Sequence, residues 1–186
     1  MGASTVSQSM LATGVPLFAV ALGLVPLWVG VLVALPNVLP VFLAMRAGGW
    51  IDRGGAGRWL LVGAAGMASA PLALALAPSV PALAWAQLAL GVFQLFAALA
   101  SQSYVADLGG GRALERNYAT YATLLSAGRL VGPLAVGVAI DAAGFRAAFA
   151  VAAGVALLSA ALAWTVRGGV AAAGVAAGAG AAPGRA

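Results

Sequence analysis

The sequence predicts an all-α membrane protein, a bundle of six transmembrane helices, and three observations lead there. Of 186 residues, 63% are hydrophobic and 7% are charged, with a mean hydropathy of +1.06. A soluble domain carries roughly 25% charged residues, so this chain is too poor in charge to cover a water-facing surface. At about 20 residues per crossing, the length holds five or six helices on short connections. Apolar runs of spanning length also alternate with short breaks rich in Arg, Gly or Pro.

Met10 to Val25 is apolar but short, so the first span, about 5–25, is complete only if Thr5, Ser7, Gln8 and Ser9 enter the membrane. The second, about 27–45, carries Pro36, Asn37 and Pro40; prolines are tolerated in membrane helices where neighbours or water satisfy the freed carbonyls. The third, about 59–77, is closed by Pro78 and Pro81, and the remaining spans fall at about 82–105, 118–140 and 147–166. Breaks are expected at Pro26, 46–58, 78–81, 106–117 and 141–146. From 168 to 186 the chain is almost wholly Ala, Gly and Val and reads as a flexible cytoplasmic tail or truncated linker after a bundle over 1–167, with a seventh helix, broken by Gly174, Gly178 and Gly180, as the alternative.

All nine cations are arginine, and the acids are Asp52, Asp107, Glu115 and Asp141. In a soluble protein a net charge of +5 suggests nucleic acid; in a membrane protein arginines hold loops inside, and no nucleic-acid partner is expected. Arg46, Arg53, Arg58, Arg112, Arg116 and Arg167 fall on one set of connections and Arg146 alone on the other, which puts both termini in the cytoplasm. Heavy use of Ala, Arg and Gly fits a GC-rich bacterial genome, hence a bacterial inner membrane. With no Cys and no His, disulfides, thiolate or imidazole metal sites, Ser-His triads and histidine relays are excluded. No cofactor and no enzymatic chemistry is expected: Gly54-Gly55-Ala56-Gly57 lies between membrane spans rather than in a βαβ unit, which discounts phosphate binding.

The connection Gly48-Gly49-Trp50-Ile51-Asp52-Arg53-Gly54-Gly55-Ala56-Gly57-Arg58 has a physical logic of its own. Gly48 would let another helix approach closely. Asp52 would pair with an arginine or cap a helix N-terminus, and Gly54, Gly55 and Gly57 would allow a tight reversal. The alternative is a solvated turn carrying a topology signal. On the fifth span, Gly128-Arg129-Leu130-Val131-Gly132-Pro133-Leu134-Ala135-Val136-Gly137 places Gly128 and Gly132 one turn apart, the spacing of close helix packing, before Pro133 loosens the helix.

Together these elements resemble the major facilitator superfamily. Gly48, Asp52, Arg53, Gly55 and Arg58 occupy the signature positions between its second and third helices, with Ala56 where a basic residue is usual. The 128–137 stretch is similar to the fifth-helix element typical of exporters, especially drug/proton antiporters, with Val136 in place of a Gly. Ala106-Asp107-Leu108 with Arg116, and Asp141 to Phe149, resemble the flanks of the fourth-to-fifth and fifth-to-sixth connections. The resemblance covers about residues 5–167 and implies the N-terminal six-helix half of an efflux-type secondary transporter. It implies gating roles for the 48–58 signature and for Arg112, Arg116, Gly128, Gly132, Pro133 and Gly137. Against the proton-antiporter pattern, Gln87 stands where an Arg is common, and no acid lies well inside a span.

Gln87, Gln94 and Ser101, spaced seven apart, form one stripe with Gly91 and Ala98: a cavity wall that hydrogen-bonds substrate, or a seam of interhelical bonds. Arg129, midway along the fifth span with no acid nearby, binds an anionic substrate or belongs to a packing network, and Tyr118 shares its face eleven positions earlier. The substrate-binding candidates are thus Gln87, Gln94, Tyr118 and Arg129. The expected partners are the lipid bilayer, a small-molecule substrate, and a second six-helix half or a second copy. Three readings follow: a fragment of a transporter, a half that pairs with itself or another half, or a membrane protein of assembly or regulation.

Overall fold

The computed structural model describes residues 2–107 and 112–180. They form five helical elements: α1 (Gly2–Ala21), α2 (Pro26–Gly54), α3 (Ala56–Leu76), α4 (Val80–Asp107) and α5 (Arg112–Gly180). Among the described residues four helices are long and apolar enough to cross a membrane: α2, α3, α4 and α5. α1 falls short because its first half is polar, and those polar groups turn inward. The Ser4 and Ser159 hydroxyls bond each other, and the Ser7 hydroxyl donates to the Ala152 carbonyl at 2.8 Å, as a helix buried in a membrane bundle requires.

The six separate helices expected from the sequence are therefore five elements, and the reason is Gly144. No loop interrupts 141–146. Instead α5, whose 69 residues would extend about 100 Å if straight, folds back at Gly144 (φ 80°, ψ 174°), backbone space open essentially to glycine alone. Its first arm (112–143) runs parallel to α1: Gly128 meets Thr5, Gly132 meets Ser9, and Gly14 meets Val136. Its second arm (145–180) runs antiparallel to α1, through Ser159 on Ser4, Ala152 on Ser7 and Phe145 on Phe18. Helical backbone continues to Gly180, past Arg167, where the sequence reading ended the last span.

Other corrections fall at the second break. α2 stays helical through Gly54, so only Gly55 (φ 79°) turns the chain. α3 has no side-chain cap at its start, so Asp52, in the last turn of α2, does not cap it. A Cβ at Gly48 would meet nothing within 4 Å among the described residues, so no described helix approaches there. What pins this turn is aromatic: Trp50, Trp59 and Phe96 stack with centroids 4.8–6.2 Å apart, and the Trp59 indole donates to the Trp50 carbonyl at 2.8 Å.

Close helix neighbours follow an arc: first arm of α5, α1, second arm of α5, α3, α4, α2. The core lies along its middle, where Met10, Leu11, Val15, Leu74, Leu83 and Phe149 are fully buried, with Phe18 edge-on to Phe149. At the end of α3, Arg146 Nε donates to the Ala75 carbonyl at 2.9 Å, a cation on the negative end of a helix dipole. α2 closes one flank of the arc and is peripheral: 6% of its most apolar stretch is buried, against 44% for α3 and α4.

Candidate functional site

The concave side of the arc holds a cavity of about 180 Å³ where α1, α4 and the first arm of α5 converge. α1 contributes Ser4, Thr5 and Gln8; α4 contributes Gln94, Ala97, Ala98, Ser101 and Gln102; α5 contributes Tyr121, Leu125 and Arg129, and Met67 of α3 closes the floor. Helical periodicity sets each wall. Tyr121, Leu125 and Arg129 recur every fourth residue on one helix face, and so do Ser4 and Gln8. Because α4 makes little contact with α1 or with the first arm of α5, the cavity opens between these walls. A second cavity of about 200 Å³ lies between α2 and α4, lined by Pro36, Asn37, Pro40, Gly91, Gln94, Leu95 and Ala98. Gln94 and Ala98 line both.

The structure sorts the four sequence candidates. Gln94 and Arg129 line the cavity. Gln87 does not. It is buried (3% exposed), and its Nε2 donates to the Leu32 carbonyl of α2 at 2.7 Å, so of its two readings the interhelical bond describes its place. Tyr118 is exposed and gives its hydroxyl to the Gln102 carbonyl at 3.2 Å; Tyr121, one turn further on, takes the place expected of it. Gln8, Gln102 and Tyr121 were not singled out by the sequence. For Gln8 the available signal was its place four residues after Ser4 in a span too polar to face lipid.

The gating candidates separate as well. Asp52, Arg53 and Arg58 are exposed around the Gly55 turn. Arg116 is exposed near the start of α5, while the Arg112 side chain lies outside the described residues, as do Leu108 and the glycines after it. Gly128 and Gly132 do bring two helices together: a Cβ on Gly128 would stand 2.8 Å from Thr5 Cβ, and one on Gly132 would stand 2.9 Å from the Met10 nitrogen. Gly137 departs from this pattern, with nothing within 4 Å.

Pro133 has a specific effect here. Having no N–H, it leaves the Arg129 carbonyl without its helical partner, and the Ser9 hydroxyl donates to that carbonyl at 3.1 Å. The α1–α5 seam therefore holds the residue that brings charge to the cavity by its main chain.

Sequence comparison agrees with this architecture. The family model of the Major Facilitator Superfamily matches residues 1–183, and no curated protein matches the chain. A multi-pass helical chain with a polar cavity on its concave side, matched nearly end to end by that family, belongs to the Major Facilitator Superfamily of membrane transport proteins.

Proposed function

We propose that the chain is an efflux-type secondary transporter that moves a small polar molecule by alternating access, working as an N-terminal six-helix half against a second six-helix unit. One observation carries the reading: a polar cavity opens on the concave side of the arc and presents Gln94, Gln8, Tyr121 and Arg129. An arginine facing hydrocarbon costs at least about 2.5–3.5 kcal/mol, and Asn37 is likewise exposed within the α2 span. Lipid is therefore the wrong material for the open side, and water or a second bundle is the right one. In transporters built from repeats the substrate site lies at the interface between repeats, near the midplane.

Asp52 and Arg53 are exposed on the last turn of α2 beside the Trp50–Trp59–Phe96 stack, which supports assigning them a gating role against a partner unit, with Gly55 and Arg58 as the turn that presents them. The efflux direction rests on the likeness of the 128–137 element to that of exporters. Helix registers gather Arg53, Arg58 and Arg116 at one end of the bundle and leave Arg146 at the other, so that by the positive-inside rule the arginine-rich end and both termini face the cytoplasm of a bacterial inner membrane.

Reconstitution into proteoliposomes tests the function. Counterflow of a panel of sugars, organic anions and cationic drugs should show saturable flux of at least one compound, and Gln94→Leu should abolish it at unchanged protein level. No flux of any compound, together with loss of a specific partner protein on deletion of this chain from cells, would establish an assembly role instead.

A further inference from the structure

We infer that the cavity takes a small organic monoanion that also carries hydroxyl or amide groups, an assignment that rests on reading the cavity as a substrate site. Arg129 is the one charged residue among the described residues that line it. Glu115 and Asp141 lie 14 and 12 positions away on the same arm, about 21 and 18 Å along a helix axis, and Asp52 is exposed in the last turn of α2. The Asp107 side chain lies outside the described residues, and among those described no lining carboxylate balances the guanidinium. A bound anion does, and the bundle gains by its arrival what an unpaired charge within a span costs.

The described wall offers a single charge, and that sets the valence this wall can balance. One guanidinium neutralises one negative charge. A dianion would leave a second charge in a cavity with no other cation among its described lining residues, and an unpaired charge within a span is disfavoured. The planar five-donor fork of arginine matches a carboxylate in two parallel hydrogen bonds. The remaining polar wall sets the rest of the molecule: Gln8, Gln94, Gln102 and Tyr121 each donate and accept, which suits hydroxyl or amide groups and ill suits a hydrocarbon tail. At about 180 Å³ the space is below the range of drug-sized pockets, so the fit is to a small metabolite.

A matched series on one carbon skeleton tests the charge directly. Thermal unfolding of the purified full chain in detergent, at constant ionic strength, is followed with D-gluconate, D-glucose, D-glucosamine and D-glucarate. Gluconate should raise the midpoint saturably, glucose and glucosamine should leave it unchanged, and glucarate should act more weakly than gluconate. Arg129→Gln should remove the gluconate shift. Arg129→Lys, which keeps the charge and loses the fork, should need at least tenfold more gluconate for the same shift, and it serves where the Gln variant does not fold. Equal shifts by gluconate and glucose, a gluconate shift that survives Arg129→Gln, an unchanged requirement in Arg129→Lys, or no shift by any member would overturn the proposal. Proteoliposome flux separates the two readings. Glucose flux that persists in Arg129→Gln sinks the anion assignment and keeps transport, whereas gluconate binding without flux of any compound keeps the anion site and sinks transport.

Discussion

Gln87 donates its side-chain amide to the Leu32 carbonyl at 2.7 Å, and that carbonyl is the one that Pro36, four residues on, cannot serve. The backbone bond missing inside α2 is made from α4. One turn later Pro40 frees the Pro36 carbonyl in the same way, and there Gly91 packs so tightly that a Cβ would stand 2.8 Å from Pro36 Cα. The α2–α4 seam is thus built around two consecutive proline gaps, one filled by an amide and one covered by a glycine.

Gln87→Leu should destabilise the bundle by about 1 kcal/mol, the low end for losing a buried hydrogen bond, because the change also removes a Gln87 Oε1 that has no partner among the described residues. In a Pro36→Ala background the helix supplies its own N–H, and the cost of Gln87→Leu should fall toward zero. A double-mutant cycle on unfolding in mixed micelles reads the coupling. Strict additivity would mean that the amide does not stand in for the missing N–H.

Gly132 and Gly137 lie on one helix and predict opposite outcomes. Gly132→Ala drives a methyl toward the Met10 backbone and should cost about 1–3 kcal/mol, the usual penalty of overpacking. Gly137→Ala meets open space and should be neutral or stabilise by up to about 1 kcal/mol through helix propensity. Melting midpoints of the two variants in one detergent decide it.

Gly144→Ala should be among the most damaging single methyl additions, costing about 1–3 kcal/mol for its backbone region. The effect should show as lost contact between the second arm and α1. Disulfide trapping of Ser4→Cys with Ser159→Cys, whose native hydroxyls bond each other, should be efficient in the parent and weak with Gly144→Ala.

The chain has no cysteine, so single-cysteine labelling can run on the native sequence. Pro78→Cys, at the Arg146 end of the bundle, should react with a membrane-impermeant maleimide on intact cells. Glu115→Cys, at the opposite end, should react only after permeabilisation. The reverse pattern would invert the orientation.

Helices α2 to α4 were legible as helices because uninterrupted apolar runs leave few alternatives. α1 was legible only in outline, since Ser4, Ser7 and Ser9 find partners on α5 and Gln8 faces the cavity, and hydropathy does not register that. The 141–146 segment looked like a loop because Asp141 and Arg146 are charged; one glycine torsion does the work of a loop, and torsions are not written in composition. The stripe of Gln87 and Gln94 was correctly one face of α4, but α4 is flanked by α2 near Gln87 and by the cavity near Gln94, so one face does two jobs. Tyr118 is a candidate by angle, since eleven residues bring the helix within about 20° of Arg129; the eight from Tyr121 leave about 80°. Angle misled here. Eleven residues also carry Tyr118 about 16 Å along the axis, to the Gln102 carbonyl, while Tyr121 stays level with the cavity.

The Ser9 hydroxyl on the Arg129 carbonyl has a mechanical consequence. α1 and the first arm of α5 are clamped at Gly128, at Gly132 and at this bond, so the guanidinium and the hydroxyl wall beside it form a single rigid jaw. Gln94 belongs to the other jaw, whose helices are joined through Leu32 and Pro36. Any widening of the site within this chain is then hinged through α3 and the second arm at the back of the arc, and the quantity that changes there is the separation between an amide and a guanidinium.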